Sequence, residues 1–384
     1  MNSHIIEELS KLTASGLRRT LKLVEGPQGT SVRIDGQEVI LLCSNDYLGL
    51  ANHPAVKEAA IKAIEEYGFG AGASRLVSGN MEPHIILEER IKLFKRAEAV
   101  LLFNSGYNAN LGCISAIADR HTDIFSDKLN HASIVDACIL SRANVKRYPN
   151  RDIESLEGML KASKSRKKLI ITDGVFSMDG TIAPLPQIVP LLDRYGATLI
   201  IDDAHATGVL GKGGRGTLEH FGIKHPSVIQ MGTLGKALGS FGAFIAGSAE
   251  LIDLLISKAR PFIFTTALPP SVCAAATKAI DLVEENPYLI KNLSDNISFM
   301  REGLKDAGLD TMGSLTQIIP IFVGKAEKTM EASKKLLERG VFIQGIRPPT
   351  VPEDTSRLRL TVMATHSKAD LTQALNSIKE VFNG

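Results

Sequence analysis

ATLIIDDAHATG, residues 197–208, decides how the rest of the chain is read. An apolar run, Leu199, Ile200 and Ile201, ends in two adjacent carboxylates, Asp202 and Asp203, and His205 follows. Such a run predicts a strand buried on both faces. A carboxylate buried at its tip costs several kcal/mol unless a positive group meets it there. The stretch therefore asks for a cation.

Similar runs lie on either side: AVLLF (99–103), DIFS (123–126), VKRY (145–148), KLIIT (168–172), SVIQM (227–231) and GAFIAG (242–247). Helix-like stretches separate most of them, clearest in GYNANLGCISAIA and PQIVPLLDRYG. This alternation predicts an α/β fold whose mostly parallel sheet has helices on both faces. Ligands of such sheets bind beyond the carboxyl ends of the strands, where Asp202 sits. Before the sheet, residues 31–42 predict a hairpin turning at Asp35-Gly36. A helix is expected from His53 to Tyr67, with Pro54 in its first turn, Gly68 at its end and Val56, Ala60, Ile64 and Tyr67 on its apolar face. A second helix is expected over 84–96. At the start, Ile5, Ile6, Leu9 and Leu12 repeat at helical spacing and predict a helix packed on the body. After about 285, one long polar-faced helix and the alternating segments TQIIPIFVG and SRLRLTVM suggest a separate small α+β domain, with which the hairpin would pack. The expected division is an N-terminal arm (1–50), a large domain (51–285) and a small domain (286–384).

The chain has 384 residues, 44% apolar and 22% charged, ordinary for a globular protein. A net charge of +2 gives no bulk electrostatic argument for nucleic acid. The basic run KASKSRKKL (161–169) reads as a solvated helix end leading into a strand. Cys43, Cys113, Cys138 and Cys273 are scattered in apolar settings, which suggests neither zinc nor disulfides and fits a reducing cytoplasm. No apolar run approaches the roughly 18 residues of a membrane span, and the first residues lack a signal-peptide core.

Four stretches carry candidate chemistry. GKGGRG (211–216) formally matches a dinucleotide fingerprint, but it is not set in a βαβ unit and no acidic ribose partner follows, so a surface turn is expected. In FNSGYNANLG (103–112) a strand ends, Ser105-Gly106 turns and a helix starts near Tyr107, which offers an anion site at the helix N-terminus. In MGTLGKALGSFGAF (231–244) Lys236 stands among small residues, as if a flat ligand approached closely. A lysine able to lose its proton joins covalently to carbonyls. His131, at the start of a helix, reads either as a capping histidine or as a ring stacked on a flat cofactor. A strand-tip carboxylate, a reactive lysine, a phosphate site and a stacking ring together suit pyridoxal 5′-phosphate (PLP), whose protonated ring nitrogen would be the cation Asp202 requires. Each pKa unit of that coupling is worth about 1.4 kcal/mol.

DDAHATG, GTLGKALG, SNDYLGL (44–50) and TDGVFSMDG (172–180) stand in an order that resembles the α-oxoamine synthases, PLP enzymes of the aspartate-aminotransferase fold type (fold type I). The resemblance spans nearly the whole chain and implies a seven-stranded sheet plus a smaller α+β domain. GIRPPTVP (345–352) and GAGASRLVSG (70–79) are similar to the branch that condenses L-alanine with a pimeloyl thioester, on coenzyme A or a carrier protein, for biotin synthesis. A sister enzyme joining glycine to acetyl-CoA is the alternative.

Position by position, the resemblance implies that Lys236 anchors the cofactor and moves the substrate proton, Asp202 partners the ring nitrogen and His205 bonds the phenolic oxygen. It makes His131 the stacking histidine, which also meets the thioester. Ser177 and Thr233 contact the cofactor, Thr233 near the phosphate, and Gly106 and Tyr107 offer backbone to it. Asn45 and Arg359 would meet the amino acid's carboxylate, and Arg18 and Thr350 the acyl substrate. Thr265 and Thr266 match a segment that reaches the neighbouring subunit's phosphate, so a homodimer with shared sites is implied. Arg357 and Arg359 alternate on one strand, and the motif favours Arg359. Asp203 is expected to make structural hydrogen bonds.

Overall fold

The computed structural model describes residues 2–383. The chain divides into two compact units, one of Asn45–Ser177 and Thr181–Lys291, the other of Met1–Ser44, Met178–Gly180 and Asn292–Gly384.

The first unit holds a seven-stranded sheet. In spatial order its strands are Ala99–Phe103, Ala243–Gly247, Val228–Thr233, Ala197–Asp202, Lys167–Asp173, Thr122–Asp127 and Asn144–Tyr148. The last five pair in parallel, and Ala243–Gly247 runs antiparallel to both its neighbours. Every apolar run singled out in the sequence is a strand of this sheet. Side chains alternate between two cores, as period-two geometry requires. Ile124, Ile171, Ile200 and Ile229 enter one core with helices Gly106–Ile117 and Ala132–Ser141. Phe125, Ile170, Leu199, Ile201 and Val228 enter the other with helices Ile153–Ala162 and Leu185–Tyr195. Both faces are thus covered, which is why the strands read as continuous apolar runs.

Helix Pro54–Tyr67 opens on Pro54 and stops at Gly68 (φ 77°), a conformation that favours glycine. Its buried residues are Val56 and Ala63, while Ile64 is exposed, so the inward face is rotated from the expected one. The second helix spans Glu82–Lys95.

In the other unit the hairpin Ser31–Ile34 and Gln37–Leu41 turns at Asp35 (φ 51°) and Gly36 (φ 78°), both left-handed as a two-residue turn demands. Val341–Phe342 adds to it in parallel. A three-stranded antiparallel sheet runs Ile318–Gly324, Ser356–Thr361, Gln344–Ile346. Helices Ala326–Glu338 and Lys368–Asn383 belong to the same unit. Helix Asn2–Ala14 forms where periodicity placed it, but Ile5, Ile6, Leu9 and Leu12 are 40–62% exposed. The expectation that it packs on its own body is corrected: spacing encodes an amphipathic stripe and does not say what covers it.

Asp203, one residue past the strand tip, resolves half of the opening question. It is fully buried with Lys95 at 3.3 Å, and it accepts from Thr217 N (3.1 Å) and Thr217 Oγ1 (2.6 Å). Lys95 also donates to the Arg215 carbonyl. Burial pushes the Lys95 ammonium down, and Asp203 pulls it back up. Lys95→Met strands the Asp203 charge in the core and is expected to cost about 3–5 kcal/mol. Urea unfolding read by circular dichroism checks this, and an unchanged midpoint would refute the pairing.

Candidate active site

Asp202 ends its strand beside Asp173, its register partner on the neighbouring strand. Asp202 is 6% exposed, and both of its hydrogen-bond donors are neutral: Ala204 N to Oδ1 (2.9 Å) and Asn110 Nδ2 to Oδ2 (2.8 Å). Burial, and then the Asp202 charge, raise the Asp173 pKa well above the usual carboxylate range. Two carboxylates this close do not both ionise readily in a core. Asp173 is therefore held towards its neutral form.

Asn110 was not singled out from sequence. It lies on helix Gly106–Ile117, fully buried, and its Nδ2 also donates to Ser133 Oγ (2.9 Å). Its Oδ1 is buried with no hydrogen-bond partner. The one available signal was an amide on an otherwise apolar helix face. Ser133 in turn meets His131 Nδ1 at 2.8 Å, and Nδ1 accepts from Ser133 N (3.2 Å). His131 therefore is the N-cap of helix Ala132–Ser141, with its remaining proton on Nε2. The ring keeps exposed surface, yet its pKa is lowered, chiefly by burial. Asp202 opposes that shift and Lys236 adds to it, so these three groups share one electrostatic neighbourhood.

Lys236 Nζ lies 2.8 Å from His205 Nε2, and His205 Nδ1 lies 2.7 Å from the Tyr47 hydroxyl. Tyr47, fully buried, donates to Asn45 Oδ1 (2.9 Å). Amine, imidazole, phenol and amide form one chain, of which sequence reading missed only Tyr47. Gly239, among the small residues after Lys236, makes room for neighbouring protein. A Cβ at Gly239 would meet Ala51 N at 2.3 Å, and one at Gly208 would meet Ala237 Cβ at 2.7 Å. The space they leave admits neighbouring protein. That packing clamps the lysine loop to the end of SNDYLGL, where buried Asp46 accepts from Leu50 N and Ala51 N.

Ser105 caps helix Gly106–Ile117 by accepting from Asn108 N (3.2 Å). A Cβ at Gly106 would lie 2.9 Å from Thr233 Cγ2, so the helix N-terminus and Thr233 share one corner. First-turn amides there suit an anion. Tyr107 turns its hydroxyl onto Asp136, leaving its backbone for the anion. Thr266 is exposed and gives its carbonyl to Asn104 Nδ2 (2.9 Å), beside the same turn, with Thr265 half-buried next to it. Ser177 is half-buried on the loop after Lys167–Asp173.

On the other unit, Arg357 and Arg359 are both buried, at 4% and 7% exposure, so neither is a surface charge. Arg357 pairs with Asp179. Thr350 accepts from Arg19 Nη2 (3.1 Å), and the Arg18 carbonyl accepts from Arg347 Nη2 (2.9 Å). It is Arg19, the neighbour of the expected Arg18, whose side chain meets Thr350.

GKGGRG is a turn, as expected. Its Gly213 N (2.9 Å) and Arg215 N (3.1 Å) both donate to Glu219 Oε2, so the chain's own carboxylate fills the loop. The four cysteines are free, and burial pushes each thiol up to about 12, which removes them as nucleophiles at neutral pH. Among the described residues no cluster of metal-ligating side chains occurs, and no helix is long and apolar enough to cross a membrane.

PLP fits this cradle by the donor set itself. A buried carboxylate with neutral donors awaits a cation, an amine stands beside an imidazole, and a glycine-shaped helix end awaits an anion. A family model described as aminotransferase class I and II matches residues 37–378. An 8-amino-7-oxononanoate synthase of Geotalea daltonii is 56% identical over 379 residues, 98% of this chain and 96% of that protein. That of Geobacter sulfurreducens is 54% identical over 384 residues, 99% of this chain and 98% of that one. A solved serine palmitoyltransferase from S. paucimobilis with bound PLP–myriocin superposes with a TM-score of 0.93 at 30% identity, covering 99% of this chain and 97% of that one.

Proposed function

The chain belongs to the class I and II aminotransferase family, and from that premise we propose that it joins L-alanine to a pimeloyl thioester, releasing 8-amino-7-oxononanoate, carbon dioxide and the free thiol. It is a fold type I PLP enzyme working as a C-acyltransferase. The observation that carries the reading is 56% identity across nearly the whole length to a synthase of that product, with Lys236 and Asp202 standing in one electrostatic neighbourhood.

Bound in the cradle, PLP supplies an electron-poor ring able to accept the electrons of a bond broken at the amino acid's Cα. Asp202 would hold the proton on its ring nitrogen, with Asp173 beside it held towards its neutral form. Thr233, Gly106 and Tyr107 would hold the phosphate, Ser177 and His205 would hold the cofactor's remaining polar atoms, and His131 would pack against its ring. Lys236 Nζ takes the alanine Cα proton and later returns one to the product carbon. His205 Nε2, at 2.8 Å, keeps that amine aimed. His131 Nε2–H donates to the thioester oxygen as negative charge develops on it. Asn45 and Arg359 are assigned to alanine's carboxylate, and Arg18 and Thr350 to the acyl chain, by their places in the family motifs.

Mass spectrometry after incubation with alanine and pimeloyl-CoA tests the reading, with glycine and acetyl-CoA as the crossed panel. The expected outcome is 8-amino-7-oxononanoate formed at least about a hundredfold faster than any glycine product, the size of preference a dedicated site achieves. Product from glycine and acetyl-CoA alone would overturn it. A carrier-protein thioester in the same panel identifies the natural donor.

The working form is a homodimer in the reducing cytoplasm, where four free thiols persist. Phe69 (77% exposed), Val77 (80%), Phe241 (56%) and Phe264 (70%) are large apolar side chains set in the glycine-rich turn, the lysine loop and the segment before Thr265 and Thr266. A second copy covers them and brings its Thr265 and Thr266 to the phosphate. Sedimentation velocity is expected to give twice the chain mass, and Phe264→Asp to give monomer with lost cofactor. Full activity in a wild-type monomer would sink this assembly.

A further inference from the structure

A second cavity, of about 420 Å³, lies in the unit that carries the sheet, lined by the end of helix Glu82–Lys95, by helix Thr217–Phe221 and by strands Val228–Thr233 and Ala243–Gly247. Its volume falls within the range of about 300–1,000 Å³ typical of small-molecule pockets. None of the cofactor-binding residues lines it.

Three features give it a chemistry. Leu218, Ile223 and Val228 make an apolar bed. Gln230 lines the cavity, is only 7% exposed, and its side-chain amide has no hydrogen-bond partner among the described residues. Its strand neighbours Ile229 and Met231 are apolar and face the opposite core, so nothing in the packing of the sheet calls for an amide at this position. The amide is not sealed off: it opens onto the cavity, where water or a ligand completes it. The third feature is charge. Arg96 and Lys224 are exposed at the cavity, carry no ion pair among the described residues, and outnumber the exposed Glu98. The other lining cations are committed elsewhere: Lys95 to Asp203, and Arg215 to Glu219 and Glu284.

We infer that this cavity is a second ligand site, built for a short-chain carboxylic acid with a neutral hydrogen-bonding group at its far end. The carboxylate sits against Arg96 and Lys224, the chain lies on the apolar bed, and the far group exchanges hydrogen bonds with the Gln230 amide. None of these residues belongs to the catalytic cradle, so occupancy and turnover are separable.

The test is isothermal titration calorimetry of the PLP-loaded enzyme with 6-acetamidohexanoate as the probe. Saturable binding is expected in the wild type. Gln230→Leu is expected to weaken it at least about tenfold. The double variant Arg96→Ala, Lys224→Ala is expected to weaken it by a similar factor and to flatten its salt dependence. Both surface positions are exposed, so this variant folds even where a core change at Gln230 does not. N-hexylacetamide, which lacks the carboxylate, is expected to bind the wild type and the double variant alike. Steady-state kcat and KM for both substrates stay unchanged in every variant. The site is refuted by any of three results: no saturable heat at millimolar probe, binding indifferent to these substitutions, or purely competitive inhibition against the thioester. The first means the cavity holds water only, and the other two mean the probe binds elsewhere.

Discussion

Lys236→Ala is expected to lower turnover by at least about a thousandfold, because one substitution removes both the amine that anchors the cofactor and the base that moves the Cα proton. The side chain is half-buried, its polar partner is His205, and its loop is held by the close packing of Gly239 on Ala51 and of Gly208 on Ala237. The glycine packing that holds the loop does not need the amine, so the variant is expected to keep its fold and its circular dichroism spectrum. Borohydride treatment is expected to fix the cofactor to the wild type and not to the variant. Repeated turnover by Lys236→Ala without an added amine would reject the assignment outright.

The second large effect belongs to Asp202→Asn. The substitution conserves shape and removes charge. The local network can absorb the change, since Asn110 Oδ1 is buried without a partner. Turning the Asn110 amide over lets that oxygen accept from the new amide, while the Ser133 hydroxyl keeps its proton on His131 Nδ1. The fold and much of the cofactor affinity therefore survive. What is lost is the anion that keeps the ring nitrogen protonated. We expect kcat to fall at least about a hundredfold, the scale on which removal of one preorganised electrostatic partner acts, while cofactor affinity weakens by less than about tenfold. The two are separated by titrating apoenzyme with PLP and then measuring rates at saturation. Near-normal rates at saturating PLP would remove Asp202 from the mechanism.

The sheet was legible because its inner strands are buried on both faces and read as apolar runs, the largely exposed edge strand Asn144–Tyr148 being the exception. Lys236, Asp202, His205 and His131 were legible because each stands beside a strand end in a short recognisable motif. The partners were not. Lys95 is 108 positions away from Asp203 and Tyr47 is 158 away from His205, and no local pattern announces a contact of that kind. Asn110 hides as a single amide in an apolar helix. The glycines about Lys236 were visible, but a position that admits a ligand and one that admits another backbone look the same in one dimension. The stripe on the first helix showed that Ile5, Ile6, Leu9 and Leu12 share a side, and no more than that.

The two neighbouring acids at the carboxyl end of the sheet's central strand meet opposite fates: one is neutralised by a lysine of the protein, the other is held for a guest. Only the chain's two-residue rhythm keeps them apart. Losing or gaining one aliphatic residue between Ala197 and Asp202 would turn the scaffold acid towards the guest and the working acid towards Lys95, without altering net charge. In this segment, therefore, counting matters more than chemistry. Evolution can trade one aliphatic residue for another along it, but it has no freedom to change the segment's length.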